Sequence, residues 1–134
     1  KELMRRLTTP NAQDETRLKR AGRYLLGARR IICRYPWKKL DTEVKTYADS
    51  NHAGCFRTRL STVGGAAVWT GHFIKGWSRT QNHVTLSSAE AELIALVKCT
   101  TETLGVCAVM RDWGSDKSSM LYAHSPAAFA FSKR

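Results

Sequence analysis

The sequence predicts a mixed α/β domain that follows a basic helical arm. Three observations support this prediction: a globular composition, positive charge concentrated at the start of the chain, and a regular order of periodic segments after residue 40. The 134 residues are 43% hydrophobic and 25% charged, which is typical of a chain with one hydrophobic core. The four cysteines include no C-x-x-C pair, so we expect them to be reduced. Neither a signal peptide nor a membrane span is visible, and the sequence indicates no compartment.

The positive charge is distributed unevenly. Residues 1–40 contain 12 lysines and arginines against three acids, a net charge of +9, whereas residues 41–134 carry +2. We therefore divide the chain into a basic arm with its linker, residues 1–40, and a domain, residues 41–134. Such a density of cations is expected where a protein contacts phosphates, although a solvated helix face would also show it. The cations predicted to bind nucleic acid are Arg17, Lys19, Arg20, Arg23, Arg29, Arg30, Lys38 and Lys39.

The arm contains one predicted helix and one predicted strand. The helix covers Asp14 to Gly27, because Leu18, Ala21 and Leu25 recur along one of its sides. Ile31 to Tyr35 is short and apolar enough to form a strand, which Pro36 would end.

After residue 40 the sequence alternates as strands do. The predicted strands are Val44–Asp49, Gly64–Trp69, Phe73–Ser78 and Met120–Ala123, and Thr70-Gly71-His72 is typical of a hairpin turn. A long helix separates the third strand from the fourth, and Pro126 begins a last helical stretch. This order predicts an antiparallel ribbon joined to a parallel crossover.

The long helix is the clearest element in the sequence. Ser87 and Glu90 fit the S-x-x-E capping box, and Gly114 is expected to stop the helix after Trp113. The apolar or small residues expected on its core face stand at positions 89, 93, 96, 97, 100, 104, 107 and 108.

Two acids stand where the ends of a strand and a helix could bring them together. Asp49 ends a predicted strand, and Glu92 lies in the first turns of the long helix. Two carboxylates in one shallow site would suit a hard cation such as Mg²⁺. Acids at such positions are more often caps or solvated side chains, so their spacing alone is a weak indication.

Four blocks of sequence carry a more specific pattern. They are Tyr47-Ala48-Asp49-Ser50-Asn51-His52-Ala53-Gly54, Arg59-Leu60-Ser61-Thr62-Val63-Gly64, Trp77-Ser78-Arg79-Thr80-Gln81 and Leu86-Ser87-Ser88-Ala89-Glu90-Ala91-Glu92-Leu93. In order, they resemble Y-x-D-x-D-W-A-G, R-K-S-T-S-G, W-S-S-K-Q and L-S-S-A-E-A-E-Y of the RNase H domain in copia-type LTR retrotransposon polyproteins. The arm is similar to the segment that precedes this domain, since Arg23-Tyr24-Leu25-Leu26-Gly27 resembles R-Y-L-x-G.

The resemblance implies both a fold and a chemistry. The fold is an RNase H-like mixed sheet with flanking helices, here without the last strand and helix of the family. The activity is hydrolysis of the RNA strand of RNA–DNA hybrids by two divalent cations, usually Mg²⁺, that carboxylates hold. By position, Asp49 and Glu92 are two of these carboxylates. His124 occupies the place of a third, an aspartate, and the fourth would follow Arg134.

The histidine predicts a degenerate active site. Imidazole is a poor ligand for Mg²⁺ and contributes no negative charge. The alternative is a transition-metal site that combines His124 with His52, His72 or His83, but their spacings match no metal motif. The sequence contains no nucleophile elbow, so it does not indicate a serine hydrolase.

Three functions remain open at this point. The first is a catalytically impaired RNase H-like module that binds RNA or an RNA–DNA hybrid. The second is an active ribonuclease H fragment that uses Mg²⁺. The third is a structural subunit recruited into a larger assembly, such as an organellar ribosome or a membrane complex. A sheet without its last strand is expected to leave an edge that a protein partner covers.

Overall fold

A computed structural model describes residues 2–124 and divides the chain into two compact units, Lys1–Pro36 and Trp37–Arg134. The first unit contains α1 (Glu2–Arg5) and α2 (Ala12–Gly27). The helix predicted from Asp14 is therefore present, but it begins earlier, because Asn11 is its cap. The Asn11 side chain accepts from the Asp14 backbone N–H at 2.9 Å, and the Asp14 carboxylate accepts from the Asn11 N–H at 3.2 Å.

The strand predicted at Ile31–Tyr35 is wrong. No strand forms there, and the side chains of Ile31 and Ile32 remain 88% and 71% exposed. A strand is stabilised by the neighbour that completes its hydrogen-bond ladder and covers its side chains. The segment has no such neighbour in the described part of its unit, so local apolarity does not suffice.

The second unit is a four-stranded sheet crossed by one long helix. Its elements are β1 (Glu43–Asn51), β2 (Thr62–Trp69), β3 (His72–Thr80), α3 (Ser88–Asp112) and β4 (Ser118–Ala123), and the sheet order is β3-β2-β1-β4. β1 pairs antiparallel with β2 and parallel with β4, while β2 pairs antiparallel with β3. The predicted mixed sheet, an antiparallel ribbon with a parallel crossover, is thus confirmed.

The turn between β2 and β3 is a two-residue hairpin loop. Thr70 and Gly71 both have positive φ, 55° and 74°, as a type I′ turn requires. The Thr70 hydroxyl accepts from the backbone N–H of Asp41 at 3.3 Å, so the turn is hydrogen-bonded to a residue two positions before β1. Thr70, which accepts this bond, has a positive φ that β-branched residues rarely adopt.

Both ends of α3 follow from its sequence. The Ser87 hydroxyl accepts from the Glu90 backbone N–H at 3.1 Å, and the Glu90 carboxylate accepts from the backbone N–H of Leu86 at 2.7 Å. The predicted cap is therefore present, with its reciprocal bond displaced by one residue. At the other end, Gly114 has φ +78° and donates its N–H to the Arg111 carbonyl. Gly114 therefore stops the helix, as predicted.

One face of the sheet packs against α3, and this contact forms the core. Val44 of β1 and Ala67 of β2 pack against Cys107 and Met110 of the helix. The predicted core face of α3 is partly wrong, since Val97 and Leu104 are 61% and 58% exposed. Polar residues occupy part of that face instead, because the sheet offers them hydrogen-bond partners.

By length and composition alone, α3 is long and apolar enough to cross a membrane. Core helices of globular domains meet the same criterion, and the buried positions of α3 include Glu92 and Thr103. The helical stretch expected from Pro126, and the point where the family's last strand and helix would follow, lie outside the described residues.

Candidate functional site

Two of the predicted site residues lie side by side where the parallel ladder between β1 and β4 ends. The two strands are parallel neighbours, and their last registered pair is Ala48 with Ala123. Asp49 and His124 each follow that pair by one residue. Both side chains are exposed, and Asp49 lies opposite Gly64 on the other neighbouring strand.

A stacked pair of tyrosines marks the register of these two strands. Tyr47 of β1 lies beside Tyr122 of β4, and their rings stack with centroids 5.1 Å apart and planes 16° apart. Side chains alternate between the faces of a strand. Since Thr46 and Ala48 are buried on the side of α3, Tyr47 and Asp49 belong to the opposite face.

Glu92 is held on the helix side of β1. It is 9% exposed, and its Oε1 accepts two hydrogen bonds from Ser50. One comes from the Ser50 hydroxyl at 2.9 Å and the other from the Ser50 backbone N–H at 3.3 Å. Its Oε2 is buried and has no hydrogen-bond partner among the described residues. The structure therefore brings Glu92 to Ser50, while the neighbouring Asp49 belongs to the other face of the strand.

These residues do not fit a pair of Mg²⁺ ions in this arrangement. Within residues 2–124, no group of three or more His, Cys, Asp or Glu side chains is placed to hold a metal ion. One oxygen of Glu92 is engaged by Ser50, and the other is buried. His124, which the resemblance puts at a third carboxylate position, has an imidazole and contributes no negative charge that a hard cation would require.

A buried hydroxyl pair beside this edge was not predicted. The Ser61 and Thr85 hydroxyl oxygens lie 2.8 Å apart, and both residues are nearly inaccessible. Ser61 Oγ also accepts from the Ala53 N–H at 3.0 Å, and Thr85 Oγ1 lies 3.2 Å from His52 Nδ1. This network joins the loop after β1 to the segment before α3. His52, which stands at the tryptophan position of Y-x-D-x-D-W-A-G, thus has a structural contact that its sequence spacing did not indicate.

Gln81 connects the same region to the helix. Its backbone N–H donates to the Ser61 carbonyl at 2.8 Å, and its side-chain Nε2 donates to the Ala91 carbonyl at 2.9 Å. Gln81 is 5% exposed. The last residue of the block that resembles W-S-S-K-Q therefore fixes the first turns of α3, and with them Glu92.

The predicted nucleic-acid-binding cations of the first unit lie on α2 and on the residues after it. Two of them form ion pairs on the helix: Lys19 with Glu15 at 2.8 Å and Arg17 with Asp14 at 3.5 Å. Arg20 and Arg23 are exposed and stand three positions apart, on neighbouring turns of one face. Arg29 and Arg30 are exposed after the helix, as are Lys38 and Lys39 in the second unit.

No protein-family model matches the chain, and no curated protein matches it at a significant level. The function is therefore inferred from the sequence blocks and from the geometry of each of the two units.

Proposed function

We propose that the chain is a catalytically impaired RNase H-like domain of retrotransposon origin that binds RNA or RNA–DNA hybrids. The observation that carries this proposal is the combination at the end of β1. The motifs that surround a carboxylate cluster are retained, but Ser50 engages Glu92, and His124 replaces the third acid. A domain that keeps its scaffold and loses its cation ligands is expected to bind its former substrate without cleaving it.

The sheet order and the charge distribution support the same proposal. The order β3-β2-β1-β4, with an antiparallel ribbon and a parallel crossover through α3, agrees with the arrangement that the resemblance implies. The net charge of +9 on residues 1–40 provides a sequence-independent attraction for phosphates. Arg20 and Arg23 are the best candidates for this contact, because they are exposed and share one face of α2.

Fluorescence anisotropy with labelled RNA–DNA hybrid, double-stranded RNA and DNA tests binding. Affinity should fall steeply with salt, and the hybrid should bind more tightly than DNA. The double variant R20Q/R23Q should weaken all complexes and lower the salt slope by about one unit for each lost phosphate contact. R79Q/R111Q, with the same loss of charge outside the arm, is the matched control. Absence of affinity for any of these nucleic acids at about 50 mM salt would exclude the binding function.

Cleavage is tested separately with the hybrid and Mg²⁺. The parent protein is expected to show no cleavage above that of the Glu92→Gln variant, because the proposed site does not hold the cations that cleavage requires. A parent rate that Glu92→Gln abolishes would show that the metal-dependent active site is intact. The chain would then be an active ribonuclease H.

A structural role in a larger assembly is the second candidate. The observation in its favour is that β3 and β4 each pair on one side only within the described residues. Outer strands of this kind present unpaired backbone groups that a partner chain can complete. This function predicts that the chain forms a stable complex with a protein partner and that formation of the complex does not depend on Arg20 or Arg23.

A further inference from the structure

The first unit has almost no interior of its own. Among its described residues Asp14 alone is buried, and the large apolar side chains of α2 remain open to solvent. Leu18, Leu25 and Leu26 are each at least 60% exposed. Contiguous apolar surface of this kind marks a place where a protein binds another surface.

The exposed leucines form one stripe along α2. Leu18 and Leu25 are seven residues apart, which is about two turns, so they lie on the same side of the helix. The positions between them on that side are Ala21 and Gly22, which are too small to cover the leucines. Leu26 widens the stripe by one residue. These five residues are called the leucine stripe below.

The other side of α2 is cationic. Arg20 and Arg23 lie about 200° and 140° around the helix from Leu18. No acid follows Glu15 in the first unit. Residues 16–36 contain seven cations, which are Arg17, Lys19, Arg20, Arg23, Arg29, Arg30 and Arg34. The helix is therefore amphipathic, with an apolar stripe on one side and a high density of positive charge on the rest.

The two sides together select the chemistry of the partner. A nucleic acid would contact the cations, but its phosphate backbone offers no apolar surface for the leucines. An anionic lipid surface offers negative headgroups next to an acyl boundary that takes up apolar side chains. Since α2 has 16 residues and is about 24 Å long, the whole stripe can lie in the plane of such a surface.

We infer that α2 binds an anionic lipid surface, with the leucine stripe in the headgroup region. Arg17 and Lys19 each lie about 100° from Leu18, one on either side of the stripe. Their long side chains reach the lipid headgroups beside it. Arg20 and Arg23 stay on the side that faces water, so the lipid contact is compatible with the proposed contact to nucleic acid.

The ion pairs on the helix do not oppose this contact. Lys19 pairs with Glu15, and both side chains are well exposed. Such a pair contributes little to stability, so Lys19 can exchange its partner for a lipid phosphate.

Flotation of the full chain with lipid vesicles tests the inference. The parent should bind vesicles of phosphatidylcholine and phosphatidylglycerol in equal amounts at least about tenfold more tightly than vesicles of phosphatidylcholine alone. The variant L18Q/L25Q/L26Q keeps every cation, but it should bind the anionic vesicles at least about tenfold more weakly than the parent. These leucines are exposed, and glutamine favours a helix nearly as leucine does. The far-UV circular dichroism of the variant should therefore equal that of the parent.

The matched control is L86Q/V97Q/L104Q, which replaces three exposed apolar residues of the second unit. The control should bind the anionic vesicles as the parent does. An equal loss in both triple variants would overturn the inference. Parent-like binding by L18Q/L25Q/L26Q would also overturn it, because charge alone would then explain the adsorption.

Absence of binding between the parent and the anionic vesicles would overturn the inference as well, and would leave an acidic protein groove as the partner of the leucine stripe. Binding of RNA–DNA hybrid is measured without vesicles, and L18Q/L25Q/L26Q should bind the hybrid as the parent does. A failure of the lipid contact is therefore distinguishable from a failure of the proposed function.

Discussion

The hydroxyl oxygen of Thr103 lies 2.7 Å from the hydroxyl oxygen of Thr46, at the centre of the contact between α3 and β1. Both residues are fully buried, with exposures of 1% and 0%. Thr103 Oγ1 also lies 2.7 Å from the Cys99 carbonyl oxygen. Since a hydroxyl has one hydrogen, Thr103 donates to that carbonyl and receives the hydrogen of Thr46. The pair therefore has one donor for each bond and leaves no donor unused.

We expect Thr103→Val to destabilise the domain by about 1–3 kcal/mol, because it leaves the Thr46 hydroxyl buried without a partner. Replacing both threonines by valine should cost less than the sum of the single changes, since the double variant leaves no orphaned group. Urea unfolding measures each free energy. The control is Thr101→Val, which removes an exposed threonine with the same helical contact, from its Oγ1 to the Val97 carbonyl. Strictly additive effects of Thr46→Val and Thr103→Val would contradict the pairing.

Gly65 and Gly64 are adjacent on β2 and should respond oppositely to alanine. A Cβ at Gly65 would lie 2.5 Å from the Trp77 ring and 2.8 Å from Cys99 Sγ, whereas a Cβ at Gly64 would meet nothing within 4 Å. Gly65→Ala should therefore cost about 1–3 kcal/mol through overpacking. Gly64→Ala should be neutral or slightly stabilising, because alanine loses less backbone entropy on folding. Thermal unfolding of the two variants decides the matter, and equal melting temperatures would refute this account.

The stability contributed by Glu102 should depend on pH. Its carboxylate accepts from Lys75 Nζ at 2.6 Å and pairs with Lys98 Nζ at 2.8 Å. These two ammonium groups lower the pKa of Glu102 from 4.5 to about 2. Because the folded pKa lies below the unfolded one, the contribution is complete above pH 4.5 and is lost as the pH falls toward 2. The difference in unfolding free energy between the parent and Glu102→Gln should shrink over that window.

The control for this pH dependence is Asp116→Asn. Asp116 pairs with Arg111 at 3.2 Å, but its side chain is 77% exposed, so solvent screens the interaction. Asp116→Asn should change stability little at any pH. A pH-independent difference between the parent and Glu102→Gln would show that the lysines do not act through the charge of the carboxylate.

The cysteines should differ in reactivity. Burial raises the pKa of the Cys99 thiol to about 11 and also raises the pKa of Cys107, whereas Cys33 is exposed. Thiolates are the reactive form, so a disulfide reagent at pH 8 should modify Cys33 rapidly and spare Cys99 and Cys107 until the domain unfolds. Mass spectrometry of the digested protein locates the modified residues. Cys33→Ser should remove the fast phase, and rapid modification of Cys99 in the folded protein would contradict its burial.

Elements whose causes lie within a few residues were predicted correctly. Thr70 and Gly71 make the hairpin by their own backbone conformations, and Ser87 caps α3 through the neighbouring Glu90. The strand at Ile31 to Tyr35 failed because its stability would depend on a distant partner, which its own residues do not specify.

The buried face of α3 and the environment of Glu92 depend on such distant partners. Thr103 can be buried because its hydroxyl is hydrogen-bonded to Thr46 and to the Cys99 carbonyl, and Glu92 can be buried because Ser50 donates to it twice. The sequence indicated Glu92 as a site residue, but nothing in the spacing of positions 50 and 92 pointed to this contact. Hydrophobic periodicity predicts that polar residues are exposed, so it does not predict a buried hydrogen-bonded pair formed between two elements.

The parallel pairing of β1 with β4 affects the order in which the chain becomes structured. Ser118 Oγ donates to the Thr42 carbonyl across 76 positions, whereas β2 and β3 are joined by a two-residue turn. During synthesis, the hairpin and α3 therefore emerge before β1 can acquire its second neighbour. Until Ser118 leaves the ribosome, one edge of β1 stays open to other chains, and this interval is when a chaperone would be most useful to the nascent protein.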